Sequence, residues 1–141
     1  MIRPGILLSD TDYSFTVTVD YHNPGLASGL ATLLLRTNRP PTGGYCDAPA
    51  NITFGSSLQI RCFDWTDSEW DFPLMFQFGY ISSTSGSFIQ LTNSFQTSNQ
   101  ASVYLPVGLQ ALEVRIQDQS FGVTRYSRFT LFTSLLFSLS Q

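Results

Sequence analysis

The chain has 141 residues, enough for one well-cored domain and part of another, and 43% of them are hydrophobic and 14% aromatic. All seven basic residues are arginine, and the formal net charge is -3. This balance argues against a surface that binds nucleic acid or anionic membranes, because both need clustered positive charge.

Both ends of the chain carry short apolar runs. The run from Ile6 to Leu8 is far shorter than the apolar region of a signal peptide. The run at 129–139 is interrupted by Thr and Ser and falls short of the ~20 residues that span a bilayer. We therefore expect neither a signal peptide nor a membrane span here, and we interpret the second run as the frayed end of a final strand.

Two strands are predicted before residue 40. Residues 13–19 alternate between apolar and polar side chains, which is the period of a half-buried strand. A segment rich in turn formers follows, and 30–37 is strand-like again, so the two strands form a hairpin. His22 lies in the turn and is interpreted as a loop residue, because one His alone supplies neither a metal site nor a catalytic pair.

This hairpin places apolar side chains on one face: Phe15, Val17, Val19, Ala31, Leu33 and Leu35. A two-stranded hairpin is marginally stable alone in water. We therefore expect it to belong to an incomplete neighbouring sandwich, or to pack on the domain that follows.

The segment Asn38-Arg39-Pro40-Pro41 predicts a module boundary. Successive prolines remove backbone donors and favour an extended connection. The predicted organisation is therefore a hairpin and linker over 1–39, a β-sandwich over 40–133 and a tail over 134–141.

From residue 42 onward, strand signals recur at the regular spacing of a sandwich or barrel. The alternation is cleanest where Leu112, Val114 and Ile116 face inward. No window shows a capped stripe with a 3.6-residue period, so we expect almost no helix. The predicted strands cover 58–63, 74–80, 88–92, 100–105, 112–117 and 123–132.

The two cysteines, Cys46 and Cys62, are predicted to face each other in an antiparallel hairpin. Facing positions in a hairpin have a constant sum, and the midpoint of this pair is residue 54, within a turn rich in Gly and Ser. A disulfide here closes a loop whose stabilisation is about 3 kcal/mol in the chain-entropy model. The alternative is two unpaired buried thiols in a cytosolic protein.

Asn51 begins the sequon Asn51-Ile52-Thr53 inside that predicted turn. The pattern is short and has many chance matches. Its position between two cysteines strengthens it, since a disulfide and a glycan both indicate the secretory route. We therefore predict Asn51 as a glycosylation site.

An acidic run follows the second cysteine and is interleaved with Trp65 and Trp70. Oxygen ligands this dense are able to hold calcium, but the run lacks the Gly and terminal Glu of an EF-hand, and exposed acids are more often simply solvated. No nucleophile or phosphate-binding loop accompanies them, so we predict no enzyme and no cofactor. The minor calcium hypothesis rests on Asp64, Asp67, Glu69 and Asp71.

The two tryptophans are predicted to differ in environment. Trp65 follows the strand that ends near Cys62, and we expect it to pack in the core beside the disulfide, as buried tryptophans do in sandwich domains. Trp70 lies among the acids and is expected to be a loop residue.

Five segments occur in the order TNRPPTGGYCDAP, QIRCFDWTD, PLMFQFGYI, VYLPVG and VRIQDQSFGVTRYS. Over residues 36–132 this series resembles the repeat unit of the receptor-for-egg-jelly (REJ) region, found in sperm receptors and polycystin-1-like proteins. Residues 13–37 also resemble the end of a preceding repeat. The positions that carry the resemblance are Asn38, Pro40, Pro41, Gly43, Gly44, Cys46, Cys62, Trp65, Asp67, Pro73, Leu74, Gln117 and Asp118.

The resemblance implies an all-β, immunoglobulin- or fibronectin-III-like β-sandwich in the extracellular part of a larger membrane protein. The expected function is a non-catalytic cell-surface module for adhesion, ligand binding or mechanical spacing. The alternative is a structural subunit of an extracellular filament or ciliary surface assembly. Expected partners are neighbouring β-sandwich modules of the same or another chain and an extracellular protein or glycan ligand, with no nucleic acid. Membrane attachment belongs to other parts of such proteins.

Overall fold

The computed structural model describes residues 3, 5–49, 57–106 and 109–127, with only the backbone at 109 and 110. Within these ranges the chain forms strands and no helix, as the sequence predicts. No helix in the described ranges is therefore long and apolar enough to cross a membrane. The chain divides into two compact units, Met1–Arg39 and Pro40–Gln141, which we describe separately.

The first unit is an antiparallel hairpin of β1 (Asp12–Val19) and β2 (Gly29–Arg36). The register pairs Phe15 with Leu33, so the alternating apolar residues of both strands share one face. The hairpin that the sequence predicts is therefore present. Three of its four strand ends differ from the prediction by one residue.

The apolar face of the β1–β2 hairpin, which we call the hairpin face, is largely open to solvent. Val17 is 61% exposed and Leu33 is 63% exposed, while Phe15 is partly buried. Burying a side chain of Val or Leu size contributes about 1.5–3 kcal/mol. Burial of the hairpin face against a partner would therefore stabilise the hairpin further.

The open end of the hairpin is held by polar contacts around Asp10. The Asp10 carboxylate accepts from Arg36 at 3.0 Å and pairs with Arg39 at 3.0 Å. The Asp10 amide also donates to the carbonyl of Asn38 at 3.0 Å. These bonds fix the chain just before the two prolines of the predicted module boundary.

The second unit contains two antiparallel sheets, of three and four strands. The three-stranded sheet has the order β3-β4-β7, and the four-stranded sheet has the order β6-β5-β8-β9. The strands are β3 (Tyr45–Asp47), β4 (Ser57–Phe63), β5 (Met75–Ser82), β6 (Phe88–Gln90), β7 (Gln100–Tyr104), β8 (Leu109–Gln117) and β9 (Val123–Ser127).

The inner faces of these two sheets form one hydrophobic core, which makes the unit a β-sandwich. The alternation is strict in β4, where every second residue is buried. In β5 and β8 the predicted inward residues Phe76, Phe78, Leu112, Val114 and Ile116 are buried, but Tyr80 is only partly buried and Gln77 and Glu113 on the other face are buried as well. Likeness to immunoglobulin or fibronectin-III domains in particular stays a prediction. The core consists of Cys46, Leu58, Ile60, Cys62, Leu74, Phe76, Phe78, Val103, Leu105, Leu112, Val114 and Ile116.

Strand limits differ from the sequence prediction by one to three residues in β4, β5, β7 and β8, and β6 and β9 differ as well. β6 ends at Gln90 instead of reaching Thr92, because the Leu91 and Thr92 amides both donate to the carbonyl of Phe78 and the chain turns away. β9 is described as far as Ser127, so the rest of the predicted closing strand and the tail at 134–141 lie outside the described residues. The predicted domain limits remain a prediction.

Candidate functional site

Three segments of the sandwich are hydrogen-bonded together at the end where the chain enters it. These are residues 40–44 at the start of the sandwich, the β4–β5 loop at 64–74 and the β8–β9 turn at 118–122, which together we call the linker end. Thr42 and Thr66 exchange two backbone hydrogen bonds of 2.9 and 3.0 Å. Ser120 donates its hydroxyl to the carboxylate of Asp71 at 2.6 Å. The linker end is therefore one connected surface.

The predicted disulfide is present and fastens this region. Cys46 in β3 lies directly opposite Cys62 in β4, with Cα atoms 4.0 Å apart, as the midpoint at residue 54 predicts. Both side chains are buried. Asn51, the predicted glycosylation site, lies outside the described residues.

Trp65 packs on a glycine at the start of the sandwich. A Cβ atom added to Gly44 lies 2.3 Å from the Cγ of Trp65 and 2.6 Å from the carbonyl oxygen of Phe63, so no other residue fits there without movement. The indole also meets the ring of Tyr126 edge to face, with centroids 5.8 Å apart. Trp65 is thus partly buried against the core, whereas Trp70 is 81% exposed.

Substitution of Gly44 by Ala should destabilise the sandwich by about 1–3 kcal/mol, the usual cost of overpacking. The added methyl group meets a rigid ring and a backbone carbonyl, and neither moves easily. Urea unfolding followed by circular dichroism measures the effect. Gly29→Ala is the control, because its Cβ lies 3.8 Å from that of Val19, an ordinary contact. Equal stability of the Gly44 variant and the wild type contradicts the packing described here.

The acidic run is a loop organised by Asp67 rather than a convergent set of carboxylates. Asp67 is 5% exposed, and its Oδ1 accepts from the amides of Glu69 at 2.8 Å and Asp71 at 3.2 Å. Asp64 and Glu69 are exposed. In the described ranges, no three His, Cys, Asp or Glu side chains are placed to share a metal ion. The carboxylates of the calcium hypothesis are therefore not brought together.

Asp118 has the corresponding role in the β8–β9 turn. It is buried, and its Oδ1 accepts from the amide of Gly122 at 2.8 Å. Its own amide donates to the carbonyl of Gly122 at 3.1 Å. A short Asp side chain that bonds the backbone a few residues ahead stabilises a tight turn.

A second polar cluster covers the outer face of the four-stranded sheet. The Arg115 guanidinium lies 3.7 Å from the centroid of the Phe88 ring, and its Nε donates to Glu113 at 2.9 Å. The Phe88 ring lies over Gly79, where a side chain has no room. Glu113 is buried although the alternation places it on the outer face. Arg115 thus lies between the aromatic ring of Phe88 and the carboxylate of Glu113.

A shallow cleft of about 250 Å³ lies beside β3 and β4. The residues that line it are Asp47, Ala48, Pro49, Gln59 and Arg61. Arg61 donates to Gln59 at 3.0 Å, so its guanidinium is already engaged within the cleft. Among these five residues, Asp47 supplies a carboxylate, Arg61 supplies a guanidinium and the other three are uncharged.

Sequence reasoning did not single out Phe121, which the structure places on the surface of the linker end. Phe121 is 80% exposed and has a φ of 67°, while Trp70 has a φ of 64°. Side chains this bulky seldom adopt the left-handed region. No sequence signal marks these backbone angles, because aromatic residues are usually expected in strands or cores.

Comparison with known proteins identifies a family. The model described as "REJ domain" matches residues 1–130. Human Polycystin-1 is 33% identical over 72 residues, which is 49% of this chain and 2% of that protein. The chain thus corresponds to a very small share of that relative's length. No solved structure matches the chain.

The residues that carried the resemblance in the sequence are concentrated at the linker end. Gly44 supports Trp65, and Asp67 and Asp118 each hold a turn there. The disulfide joins β3 to β4 beside them. The shared pattern therefore describes how this end of the sandwich is built.

Proposed function

The chain belongs to the REJ domain family, and from this membership we propose that it is a non-catalytic extracellular module of a polycystin-1-like cell-surface protein. Within that protein it serves as a spacing and docking element, in adhesion, ligand binding or mechanical linkage. The similarity to human Polycystin-1 supports this proposal, although it covers 2% of that protein.

The extracellular assignment is supported by the disulfide between Cys46 and Cys62. Disulfides persist in oxidising compartments and are rare in the cytosol. An extracellular location also agrees with a surface in which Ser, Thr, Asn and Gln replace most of the charge, since only 12% of residues are charged.

The observation that carries the docking role is the exposed hairpin face. Val17 and Leu33 lie open on it, and two-stranded sheets rarely persist in water without a cover. We propose that a neighbouring β-sandwich module, of the same or another chain, covers this face.

The second unit supplies a precedent for such a cover. Strand β8 of its β8–β9 hairpin also alternates apolar and polar residues, and the turn begins with Asp118 as the β1–β2 loop begins with Asp20. In the sandwich, Val114 and Ile116 are fully buried in the core shared with the three-stranded sheet. A sheet like this three-stranded sheet is the kind of cover that we propose for the hairpin face.

A second candidate function is a subunit of an extracellular filament or ciliary surface assembly. The same exposed face and the free edges of a two-stranded sheet favour it, because unpaired edges accept further strands. In that case the cover comes from another copy of the chain.

Hydrogen exchange at Thr16 to Val19, measured over a range of protein concentrations, tests both candidates. Protection that does not change with concentration supports cover within the chain, as expected of a spacing module. Protection that rises with concentration supports the assembly subunit. Fast exchange at every concentration contradicts cover of the hairpin face by this chain or by another copy of it.

Two variants of neighbouring leucines sharpen this test. Leu33→Thr removes an apolar side chain from the hairpin face, and we expect faster exchange or weaker association. Leu34→Thr is the matched control, because Leu34 is on the opposite face and is 77% exposed. Threonine keeps a high strand propensity at both positions. Equal effects of the two substitutions contradict a specific role of the hairpin face.

A further inference from the structure

The linker end presents three exposed aromatic side chains that the packing of the sandwich does not use. Trp70 and Phe72 form an edge-to-face pair with centroids 6.2 Å apart. Phe121 projects from the β8–β9 turn. We call Trp70, Phe72 and Phe121 the aromatic tip.

Hydrogen bonds hold the two loops of the aromatic tip together. The Gln119 amide donates to the carbonyl of Asp71 at 3.2 Å, and its side chain donates to the carbonyl of Pro73 at 3.0 Å. Each aromatic residue is the direct chain neighbour of a residue in these bonds or in the Ser120–Asp71 bond. The loops are therefore positioned relative to each other before any partner arrives, which lowers the ordering cost of binding.

The backbone supports an outward role for these side chains. Trp70 and Phe121 both adopt positive φ angles that bulky residues seldom populate, and both are more than three-quarters exposed. Unusual backbone angles of this kind cluster at ligand-binding and switch regions.

The two loops that carry the aromatic tip contain charged residues of one sign only. The β4–β5 loop and the β8–β9 turn contain five carboxylate residues and no Lys, Arg or His. Asp67 and Asp118 are buried and bond their own turns, and the half-buried Asp71 accepts from Ser120. The other two, Asp64 and Glu69, are exposed, and Glu69 is the chain neighbour of Trp70. An anionic partner is repelled by these carboxylates, whereas a cationic side chain is attracted.

We propose that the aromatic tip binds a protein segment that carries arginine beside an apolar side chain. The guanidinium stacks on an exposed ring, with Trp70 the preferred one, and pairs with a neighbouring carboxylate. The chain already contains this arrangement, since Arg115 lies between the Phe88 ring and Glu113. Tryptophan and arginine are also the residues that dominate binding energy at protein interfaces.

The test uses the full chain labelled with nitrogen-15 and three small probes. The first is the blocked tripeptide Leu-Arg-Leu, and the second replaces its arginine with citrulline, which has nearly the same shape and no charge. The third is a chitin trisaccharide, which probes glycan binding. The indole N–H signal of Trp70 reports binding, and that of Trp65 is the internal control because this ring is packed against the core.

We expect the arginine peptide to shift the Trp70 signal with a dissociation constant in the millimolar range, and the citrulline peptide to bind about fivefold more weakly. Salt should weaken the arginine peptide selectively. Equal affinity for the two peptides overturns the proposal, as does tighter binding of the trisaccharide or the absence of a shift at Trp70.

Two variants separate the aromatic tip from the rest of the surface. Phe121→Asn keeps the backbone, because Asn tolerates left-handed angles, and should weaken the arginine peptide about fivefold. Tyr104→Ala removes an exposed aromatic residue of β7 and should leave binding unchanged. Weaker binding in the Tyr104 variant overturns the assignment of the site, and so does unchanged binding in the Phe121 variant.

Discussion

Replacing Trp65 with alanine should lower the free energy of unfolding of the sandwich by about 3 kcal/mol, the lower end of the range for large aromatic residues, since the ring is only partly buried. The loss includes the contacts of the indole with Gly44 and with the ring of Tyr126. Urea unfolding followed by circular dichroism is the measurement.

Trp70→Ala is the matched control for this change. Its ring is 81% exposed, so the expected change is within about 0.5 kcal/mol. Trp65→Phe should cost less than Trp65→Ala, because it keeps a ring over Gly44, and the indole Nε1 is buried without a hydrogen-bond partner among the described protein atoms. Equal, small losses at both tryptophans contradict the packing of Trp65.

A double-mutant cycle adds a sharper check of the same contact. Gly44→Ala should cost less in a chain that already carries Trp65→Ala, because the ring it collides with is gone. Strict additivity of the two changes argues that the predicted cost of the Gly44 variant has another source.

Removing the disulfide is the second large perturbation. The double variant Cys46→Ala and Cys62→Ala should lose about 3 kcal/mol of stability, the chain-entropy value for a loop of this size. Urea unfolding of the wild type with and without reductant should show a similar drop, and the double variant should not respond to reductant. Wild-type protein that is fully reduced and equally stable contradicts this expectation, as do two free thiols in mass spectrometry of the untreated chain.

Period-two patterns made most of the fold predictable. In β4 and β8 the apolar side chains occupy alternate positions, so facing the core follows from chain geometry alone. The disulfide was predictable for the same reason, since the positions of Cys46 and Cys62 place the bend in turn-forming residues. Both inferences use neighbours along the chain or across one hairpin.

The contacts that individual side chains make on a given face were not predictable in this way. Gly44 and Trp65 lie on the two arms of the β3–β4 hairpin, and Gly79 and Phe88 lie on the paired strands β5 and β6, yet the alternation does not show that a ring covers either glycine. The alternation of β8 places Glu113 on the outer face, yet Glu113 is buried and accepts from Arg115, whose guanidinium lies over the Phe88 ring. A sequence pattern gives the face of a side chain and leaves open what lies on that face.

The acidic run illustrates the same limit at the candidate site. Its density favoured either solvation or cation binding, but Asp67 instead turns inward and bonds two amides of its own loop. That outcome depends on the backbone path between Trp65 and Asp71, which includes a left-handed residue at Trp70. Composition carries no information on such a path.

The disulfide between β3 and β4 also determines how the sandwich responds to a pulling force. Tension arriving through Pro40 reaches β3 first, a strand of only three residues whose hydrogen bonds would separate one after another. The disulfide passes the load by a covalent route to β4, which lies between β3 and β7. The loop it encloses cannot extend, so a stretched oxidised module is shorter than a reduced one by roughly 50 Å. Thiol chemistry therefore sets the reach of this module under load.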